Sequence, residues 1–574
     1  MSDKLGYVVL EVGGIQKYIL STGKLKEMIG GSELIESLSS DYLADFANKN
    51  SLTILDEIRA PVDDEILPLQ RNAGAMHLMF SSTEKGKEFL NKFGLKILED
   101  FPGLPIFGAM EECEFDSLGI RDAKFKLSNK ITDQRNKYPT STGMQLLPVC
   151  ATAPLDGEAA VGKIRYGNSS DRDEIVSLSS RTRRIEKLLE ASRKRLRKIE
   201  PDEDLGEDLE WSDDLEDIAR GLGKVAFIHI DGNDLGKRFR TELVNVSKQE
   251  EKENKEAKQI DPEKRKENTI RVIEKMSTLS KTVKDTTESA FKKGLTACLK
   301  YAHLSGRKLI PARPLVLGGD DVTIVIRPDL ALYFIDAFVK EFERCSAAAF
   351  EEQNKNLSDA DKQDKKGDKL TVGVGMVVCP SGYPFLKAFE LSEELVKNSK
   401  ELTAHIEEDT DHKEKRPSSM DYIVITNDTE NDLDSIRAHL FTSDDGMSLL
   451  TAKPMLLKDN NLAQFVKESI SVSEKLPRSA VRGALSECRK GKNAAGSCYK
   501  KLKDNVERGL GGRSNQKLMG TEEFLRLFPE ENGFFYKDES DGKLKTKLGD
   551  YIELNHLLSV LRISDYKEYF GIKD

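Results

Sequence analysis

The feature that most constrains this chain is a short segment, PLVLGGDDVTIVI at residues 314–326. Two runs of apolar, mostly β-branched residues flank a glycine pair and two aspartates, a pattern that predicts two strands joined by a tight turn. The adjacent carboxylates of Asp320 and Asp321 then lie at the end of a sheet and repel each other. A divalent cation is a common reason for such a pair, although Gly and Asp are also ordinary turn residues. The segment alone therefore leaves a metal site and a solvated turn open.

Length and composition limit the class of protein. The 574 residues leave room for about three or four domains. The net charge of -10 argues against a general nucleic-acid binder, so any such binding must be local. Seven scattered cysteines form no CxxC pair, which predicts no zinc ribbon and fits a reducing cytoplasm. No signal peptide opens the chain, and no apolar run approaches the roughly 20 residues of a membrane-spanning helix. A cytoplasmic protein that does not bind a membrane is therefore expected.

Residues 1–112 are predicted to form a first ferredoxin-like module. A strand at the start leads through a glycine turn into a helix, and a second glycine turn at Gly30-Gly31 is expected to let Ser32 N-cap the next helix. The pattern then predicts another strand, an amphipathic helix and a final strand. The predicted elements are a strand at 7–12, helices from 15 and at 33–46, a strand at 75–80, a helix at 84–98 and a strand at 106–109.

Residues 113–220 are interpreted as a linker region. The stretch from 113 to about 165 shows no clear period and is predicted to be irregular. Residues 179–199 are strongly basic with apolar residues at helical spacing, which fits either a solvated helix face or a contact with RNA or a partner. An acidic tract at 200–217 is predicted to be a linker or a cover for that basic helix.

Residues 221–428 are predicted to form a second module around the opening segment. Its first strand ends in Asp231-Gly232-Asn233-Asp234, a carboxylate followed by a glycine turn, as in phosphate and metal corners. A charged insertion at 249–268 and a polar loop at 354–369 interrupt the pattern. The predicted elements are strands at 225–230, 316–317, 322–326, 370–378 and 422–426, and helices at 269–301, 328–350 and 384–402.

This order of elements matches the palm that polymerases and class III nucleotidyl cyclases share. In such a palm the first strand and the central hairpin are neighbours, so Asp231 is expected to face Asp320 and Asp321. Three carboxylates there can hold two Mg²⁺ ions about 3.5–4 Å apart and align an oxygen nucleophile with an α-phosphate. The predicted fold class is α+β: two ferredoxin-like palm domains, a helical linker region and, at 429–574, a C-terminal helical domain that is basic at 480–513.

At this point the sequence resembles a known family, the large polymerase/cyclase subunit of type III CRISPR effector complexes (the Cas-ten family). The residues that carry the resemblance are EVGGIQKYILSTGKLKEMIGGSELI for a first palm, FIHIDGNDLGKRF and PLVLGGDDVTIVI for the metal strand and hairpin of a second, and LTVGVGMVVCPSGYPFLKAFELSEELVKNSK with SSMDYIVI for its closing elements. These segments span residues 5–426, and the stretches between them are not recognisable.

The resemblance implies an enzyme that joins ATP molecules into cyclic oligoadenylate second messengers in antiviral defence, using two Mg²⁺ or Mn²⁺ ions. It also implies other effector subunits, guide RNA and target RNA as partners. The residues that the resemblance assigns are Asp231, Asp320 and Asp321 for metal, Gly318, Gly319, Gly232 and Asn233 beside the phosphates, Lys397 and Lys400 for the triphosphate, and Ser32 and Gln16 for a second nucleotide.

The sequence also departs from the family pattern. None of the seven histidines precedes an aspartate, so a form without the HD nuclease domain is expected, and only Cys150 stands where the family has a zinc cluster. Two alternatives stay open: a stand-alone cyclase that makes another cyclic nucleotide, as the GGDEF diguanylate cyclases do, and a structural RNA-binding subunit with a vestigial palm.

Overall fold

The computed structural model describes residues 4–72, 74–138, 150–165, 173–199, 209–238, 262–304, 309–353, 368–409, 416–426, 432–458, 460–509, 519–531, 533–538, 543–558 and 563–572. The predicted acidic tract, charged insertion and polar loop fall partly outside these ranges. The chain divides into two compact units: unit 1 is Met1–Glu200, Asp234–Glu288 and Leu315–Asp320, and unit 2 is Pro201–Asn233, Ser289–Pro314 and Asp321–Asp574. None of the described helices combines the length and apolarity needed to cross a membrane.

Unit 1 is built around a five-stranded sheet with strand order β2-β3-β4-β1-β5. Its elements are β1 (Leu5–Val12), α1 (Ile15–Leu20), α2 (Leu25–Leu38), α3 (Asp41–Lys49), β2 (Thr53–Ile54), β3 (Glu65–Asn72), β4 (Ala75–Phe80), α4 (Thr83–Asp100), β5 (Ile106–Cys113), α5 (Ser117–Lys137), β6 (Ala160–Arg165), β7 (Asp173–Ser177), α6 (Leu178–Arg183) and α7 (Glu186–Leu196).

The central strand β1 pairs antiparallel with both β4 and β5, and its side chains alternate between the two faces of the sheet. Tyr7 and Val9 point into a core that Leu127 of α5 also enters. The opposite face carries α4, whose Phe89 and Phe93 are buried. The α+β class predicted from the sequence is confirmed by this layering of helices on a mixed sheet.

Helix α5 corrects the prediction that residues 113–165 are irregular. Asp116 caps its start, because the carboxylate accepts a hydrogen bond of 2.6 Å from the Gly119 amide. Ile120, Leu127 and Ile131 recur on one face and are buried in the core of unit 1. The many charged residues between them hid this period in the sequence.

Helix α2 corrects the prediction of a glycine turn at Gly30-Gly31 and of an N-cap at Ser32. All three residues lie inside one continuous helix, so Ser32 caps nothing. The glycines serve a close approach instead: a Cβ at Gly30 would lie 1.7 Å from the carbonyl oxygen of Arg183. A missing side chain, rather than a left-handed backbone, is what the packing against α6 requires.

The basic segment at 179–199 is partly used inside unit 1. Arg183 is buried and donates to the Tyr18 carbonyl oxygen at 3.0 Å. The Arg184 guanidinium forms an ion pair with Glu27, whose side chain is fully buried on α2. These two arginines are therefore structural, whereas others on the segment, such as Arg181 and Lys187, are exposed.

Unit 2 contains most of the second half of the chain. Its elements, with α9 and β11 shared with unit 1, are β8 (Glu210–Trp211), α8 (Leu215–Ala219), β9 (Lys224–Gly232), α9 (Pro262–Tyr301), β10 (Leu309–Ile310), β11 (Ala312–Gly318), β12 (Asp321–Ile326), α10 (Ala331–Gln353), β13 (Val372–Pro380), α11 (Phe385–Asp409), β14 (Ser419–Val424), α12 (Leu433–Leu440), β15 (Ser448–Leu449), β16 (Met455–Leu456), α13 (Asn461–Lys475), α14 (Arg478–Arg489), α15 (Lys492–Glu507), α16 (Thr521–Leu527), β17 (Tyr536–Lys537), β18 (Leu544–Lys545), α17 (Leu548–Leu558) and α18 (Ile563–Tyr569).

The main sheet of unit 2 has the strand order β11-β12-β9-β13-β14-β16. The residues of β11 that follow Pro314 are assigned to unit 1. Strands β9, β12 and β13 are buried along almost their whole length. β9 pairs antiparallel with both β12 and β13, and β13 pairs parallel with β14. The strand-turn-strand predicted around Gly318 to Asp321 is confirmed, because β11 ends at Gly318 and β12 begins at Asp321.

Strand β14 is connected to the C-terminal region by a buried group that we call the Lys453 cluster: Lys453, Tyr422, Asp550 and Glu553. The Lys453 ammonium donates to the Tyr422 carbonyl oxygen at 2.8 Å and forms an ion pair with Glu553. Glu553 also accepts a 3.1 Å hydrogen bond from the Val424 amide of β14. Mutual pairing makes these buried charges tolerable.

Candidate functional site

The site is built where three strands of unit 2 end or begin. β9 and β12 pair with Ile230 opposite Val322, so the next position sets Asp231 opposite Asp321. On the other side of β9, Gly373 at the start of β13 is opposite Asp231. The apolar, β-branched strands thus bring two carboxylates from distant parts of the sequence to one edge of the sheet.

Lys400 of helix α11 joins this edge. Its ammonium nitrogen lies 2.5 Å from Asp231 Oδ2 and 2.7 Å from the carbonyl oxygen of Gly232. The Asp231 side chain is 40% exposed and that of Lys400 is 21% exposed, so the pair is reachable from solvent. The structure therefore brings together Asp231, Gly232, Asp321 and Lys400 of the residues predicted from the sequence.

Alternating glycines in β13 let α11 lie close to the sheet. A Cβ at Gly373 would stand 2.8 Å from Lys400 Cγ and would obstruct the path of that side chain to Asp231. A Cβ at Gly375 would stand 2.2 Å from the carbonyl oxygen of Ser392. Because side chains on a strand alternate between its two faces, residues 373 and 375 both lie on the face that the helix covers.

Two titratable groups that the sequence analysis missed border the carboxylates. His229 Nδ1 lies 3.4 Å from Asp321 Oδ1 and 3.1 Å from Thr323 Oγ1, and burial lowers the pKa of His229, which keeps the ring neutral near pH 7. Burial also raises the pKa of Glu393 on α11. Their spacing was a usable signal, since His229 is two residues before Asp231 on a strand and Glu393 is seven before Lys400 on a helix.

An open cleft of about 340 Å³ lies over this edge. It is lined by His229, Asp231, Glu393, Val396, Lys397, Lys400, Glu401, Ala404 and Arg416. Lys397 differs from Lys400: its side chain is 78% exposed, and its ammonium is 4.0 Å from Glu401. The cleft thus holds cations and carboxylates together, as a site for a metal-bound anion requires.

A short hydrogen-bond chain connects the end of β9 to Arg416. The Asn233 side-chain amide donates to Thr371 Oγ1 at 2.9 Å, and that hydroxyl donates to the Arg416 carbonyl oxygen at 2.9 Å. The Asn233 main-chain amide also donates to the Thr371 carbonyl oxygen at 2.8 Å. Asn233 is buried, and its amide holds the segment before β14 in place.

The remaining predicted residues belong to unit 1. Gly318, Gly319 and Asp320 complete the turn before Asp321, and Gly319 has a φ of +60°, the left-handed conformation that glycine adopts readily. Thr287 of α9 donates to the Gly319 carbonyl oxygen at 2.6 Å and so holds the turn. Gln16 lies on α1 and Ser32 on α2, both half-buried.

The residues at the sheet edge suit a magnesium ion held partly by substrate. Within the described ranges, no group of three or more His, Cys, Asp or Glu side chains is arranged to hold a metal. Asp231 and Asp321 nevertheless offer two carboxylates from paired strands. Mg²⁺ is usually bound by one or two carboxylates and takes its other ligands from water and substrate phosphates, so this donor set fits the ion.

Comparison with known proteins gives one family match. Residues 224–405 match the family model described as Cas10/Cmr2, second palm domain. This match confirms, over that domain, the resemblance inferred from the sequence. No curated protein sequence matches the chain.

Several solved structures are similar at low sequence identity. Csm1 in T. onnurineus has 11% identity and a TM-score of 0.49, with 98% of this chain and 70% of that chain covered. A Csm1-Csm4 cassette in complex with cA4 has 12% identity and a TM-score of 0.47, with the same coverage. For the apo Csm1-Csm4 cassette the identity is 12% and the TM-score 0.40; the match covers 70% of this chain and 53% of that chain's length.

Proposed function

We propose that the protein is a metal-dependent nucleotidyltransferase that joins ATP molecules into cyclic oligoadenylates, because its residues 224–405 match the model of the Cas10/Cmr2 second palm domain. The observation that carries this proposal is the sheet edge in unit 2, where Asp231 and Asp321 are opposite each other and Lys400 contacts Asp231. A carboxylate pair beside a cation, in an open cleft, is the donor set for a metal-bound triphosphate.

Each side chain has a proposed role. Asp231 and Asp321, with the neighbouring Asp320, hold Mg²⁺ or Mn²⁺, which when bound activates the attacking 3′-hydroxyl and neutralises charge on the α-phosphate. Lys400 and Lys397 bind the triphosphate as point charges. The other predicted residues bring backbone close to the phosphates or hold a second nucleotide: Gly318, Gly319, Gly232 and Asn233 for the first role, Ser32 and Gln16 for the second.

The contact between Lys400 and Asp231 suggests how the site is arranged before substrate binds. In the absence of a cation, the Lys400 ammonium pairs with Asp231 and orients that carboxylate. If Asp231 were to hold a metal ion, that ion would neutralise the carboxylate in place of Lys400, and the Lys400 ammonium would then be available to the substrate phosphates.

The partners follow from the family match and are proposed with it. We expect the protein to work with other effector subunits, guide RNA and target RNA. Purification from its native host, followed by sequencing of bound RNA and identification of bound proteins, tests this expectation. Copurifying guide RNA supports an effector subunit, whereas its absence together with activity of the pure chain favours a stand-alone cyclase.

The test of activity is product identification. Pure protein is incubated with each nucleoside triphosphate and Mg²⁺ or Mn²⁺, with and without RNA, and products are identified by mass spectrometry. We expect cyclic oligoadenylates from ATP and pyrophosphate release in step with them. A cyclic dinucleotide as product would replace the proposed substrate, and the lack of any product under all conditions would favour a vestigial palm in a structural subunit.

The two lysines are expected to differ in importance. Lys400→Ala should lower kcat/KM for ATP by about a hundredfold, because it removes a largely buried charge that contacts Asp231. Lys397→Ala should lower it by less than about threefold, since that side chain is largely exposed. Steady-state kinetics of both variants measure the difference, and equal effects would contradict the assignment of Lys400.

A further inference from the structure

The third cation of the cleft, Arg416, comes from a part of the chain that the palm motifs do not include. It lines the cleft together with Asp231 and Lys400. Gly373 is opposite both Asp231 of β9 and Ser419 of β14, so these three residues form one row across the sheet. Arg416 precedes Ser419 by three residues and therefore reaches the cleft from the far side of β13.

The row of strands sets a length scale. Neighbouring strands are about 4.8 Å apart, so β9 and β14 are separated by about 10 Å at this edge. Asp231 stands at one end of that distance, Lys400 reaches Asp231 from α11, and the segment with Arg416 stands at the other end. An extended anion with its metal at the Asp231 end fits these three groups.

The backbone of Arg416 is held in place rather than left to the loop. Thr371 Oγ1 donates to the Arg416 carbonyl oxygen at 2.9 Å and accepts from the Asn233 amide at 2.9 Å. The following residues are fixed too, since Ser418 Oγ accepts from the Val372 amide at 3.1 Å. Asn233 is two residues after Asp231, so one chain of bonds relates the positions of the metal corner and of Arg416.

We propose that Arg416 binds the polyphosphate tail of the nucleoside triphosphate. Thr371, which accepts a hydrogen bond from Asn233, is the residue that positions Arg416. The inference rests on the proposed function, whose substrate it specifies. A guanidinium suits this place because its planar fork of donors matches phosphate oxygens in a bidentate manner, which an ammonium does not. Lys400 then serves the metal-proximal phosphate and Arg416 the distal one.

The test compares a triphosphate with a monophosphate. Binding of a non-hydrolysable ATP analogue and of AMP, both with Mg²⁺, is measured by calorimetry for wild type, Arg416→Ala, Arg416→Lys and the control Arg482→Ala, which changes an exposed residue of α14. We expect Arg416→Ala to bind the analogue about tenfold more weakly, Arg416→Lys to recover part of the loss, and AMP binding to stay unchanged. Arg482→Ala should match wild type.

The outcomes separate this inference from the function it rests on. If wild type binds the analogue and Arg416→Ala binds it equally well, the role of Arg416 is overturned while the proposed function stands. If Arg416→Ala loses analogue and AMP alike, the polyphosphate assignment fails. If wild type binds no nucleotide, the proposed function itself fails.

The positioning role has its own readout. Thr371→Val removes the hydroxyl that bonds the Arg416 carbonyl oxygen, whereas Thr371→Ser retains it. We expect the KM for ATP to rise about threefold in the valine variant with kcat unchanged, and to return to the wild-type value in the serine variant. Equal KM values in both variants, or a fall in kcat alone, would overturn the positioning role.

Discussion

The double variant Asp320→Ala, Asp321→Ala is expected to make no detectable oligoadenylate. Asp321 is opposite Asp231 at the sheet edge, and Asp320 is its neighbour in the turn. Loss of metal binding removes several kcal/mol of transition-state stabilisation, and roughly 4 kcal/mol corresponds to about a thousandfold in rate. Mass spectrometry of reactions with ATP and Mn²⁺ measures the loss.

The chain offers a matched control for this variant. Asp63 and Asp64 form another aspartate pair in a turn, both are exposed, and the Asp64 carboxylate makes a surface ion pair with Lys85 at 2.9 Å. Asp63→Ala, Asp64→Ala should keep wild-type synthesis and stability. Synthesis that persists in the Asp320, Asp321 variant, with an unchanged unfolding midpoint, would refute the site in unit 2.

Gly375→Ala is expected to destabilise unit 2 strongly, although it adds only one methyl group to the sheet. The added Cβ would lie 2.2 Å from the Ser392 carbonyl oxygen and 3.1 Å from Leu395 Cβ, so helix α11 must move away from β13. Overpacking of this kind costs about 3 kcal/mol, and it displaces the helix that carries Lys400. Urea unfolding followed by circular dichroism should show a lower midpoint for the transition of unit 2.

Gly382→Ala is the control for that substitution. Apart from the two adjoining residues, nothing lies within 4 Å of a Cβ built at Gly382, and the residue is exposed in the turn between β13 and α11. The control should unfold like wild type and retain synthesis. If Gly375→Ala also unfolds like wild type, the close packing of α11 on β13 is wrong.

The strands of the second palm were predictable because they are apolar over most of their length. The segment at 225–230 and the hairpin around Gly318 to Asp321 have bounds set by turn residues, which single sequences reveal well. Lys400 was predictable for a different reason, since the family resemblance marked it. The role of each residue predicted for the site stays a proposal, because a fold positions a side chain without stating what binds to it.

Other features could not be predicted because they depend on contacts between segments that are distant in the sequence. A glycine pair signals a turn when its backbone is left-handed, but Gly30 is helical and is small because Arg183 approaches it. The sequence does not distinguish these two uses of glycine. Arg416 reaches the cleft through contacts between distant segments, which no local pattern in the sequence indicates.

The Lys453 cluster has a consequence for anyone who wants a minimal catalytic fragment. A polypeptide cut at residue 428 would lose Glu553, which accepts from the Val424 amide, and Arg437, which pairs with the fully buried Asp421. It would also lose β16, the antiparallel neighbour of β14, and β14 would become an unpaired edge strand that other molecules can bind. The shortest fragment that preserves the cleft therefore has to extend through Glu553, well past the end of the palm itself.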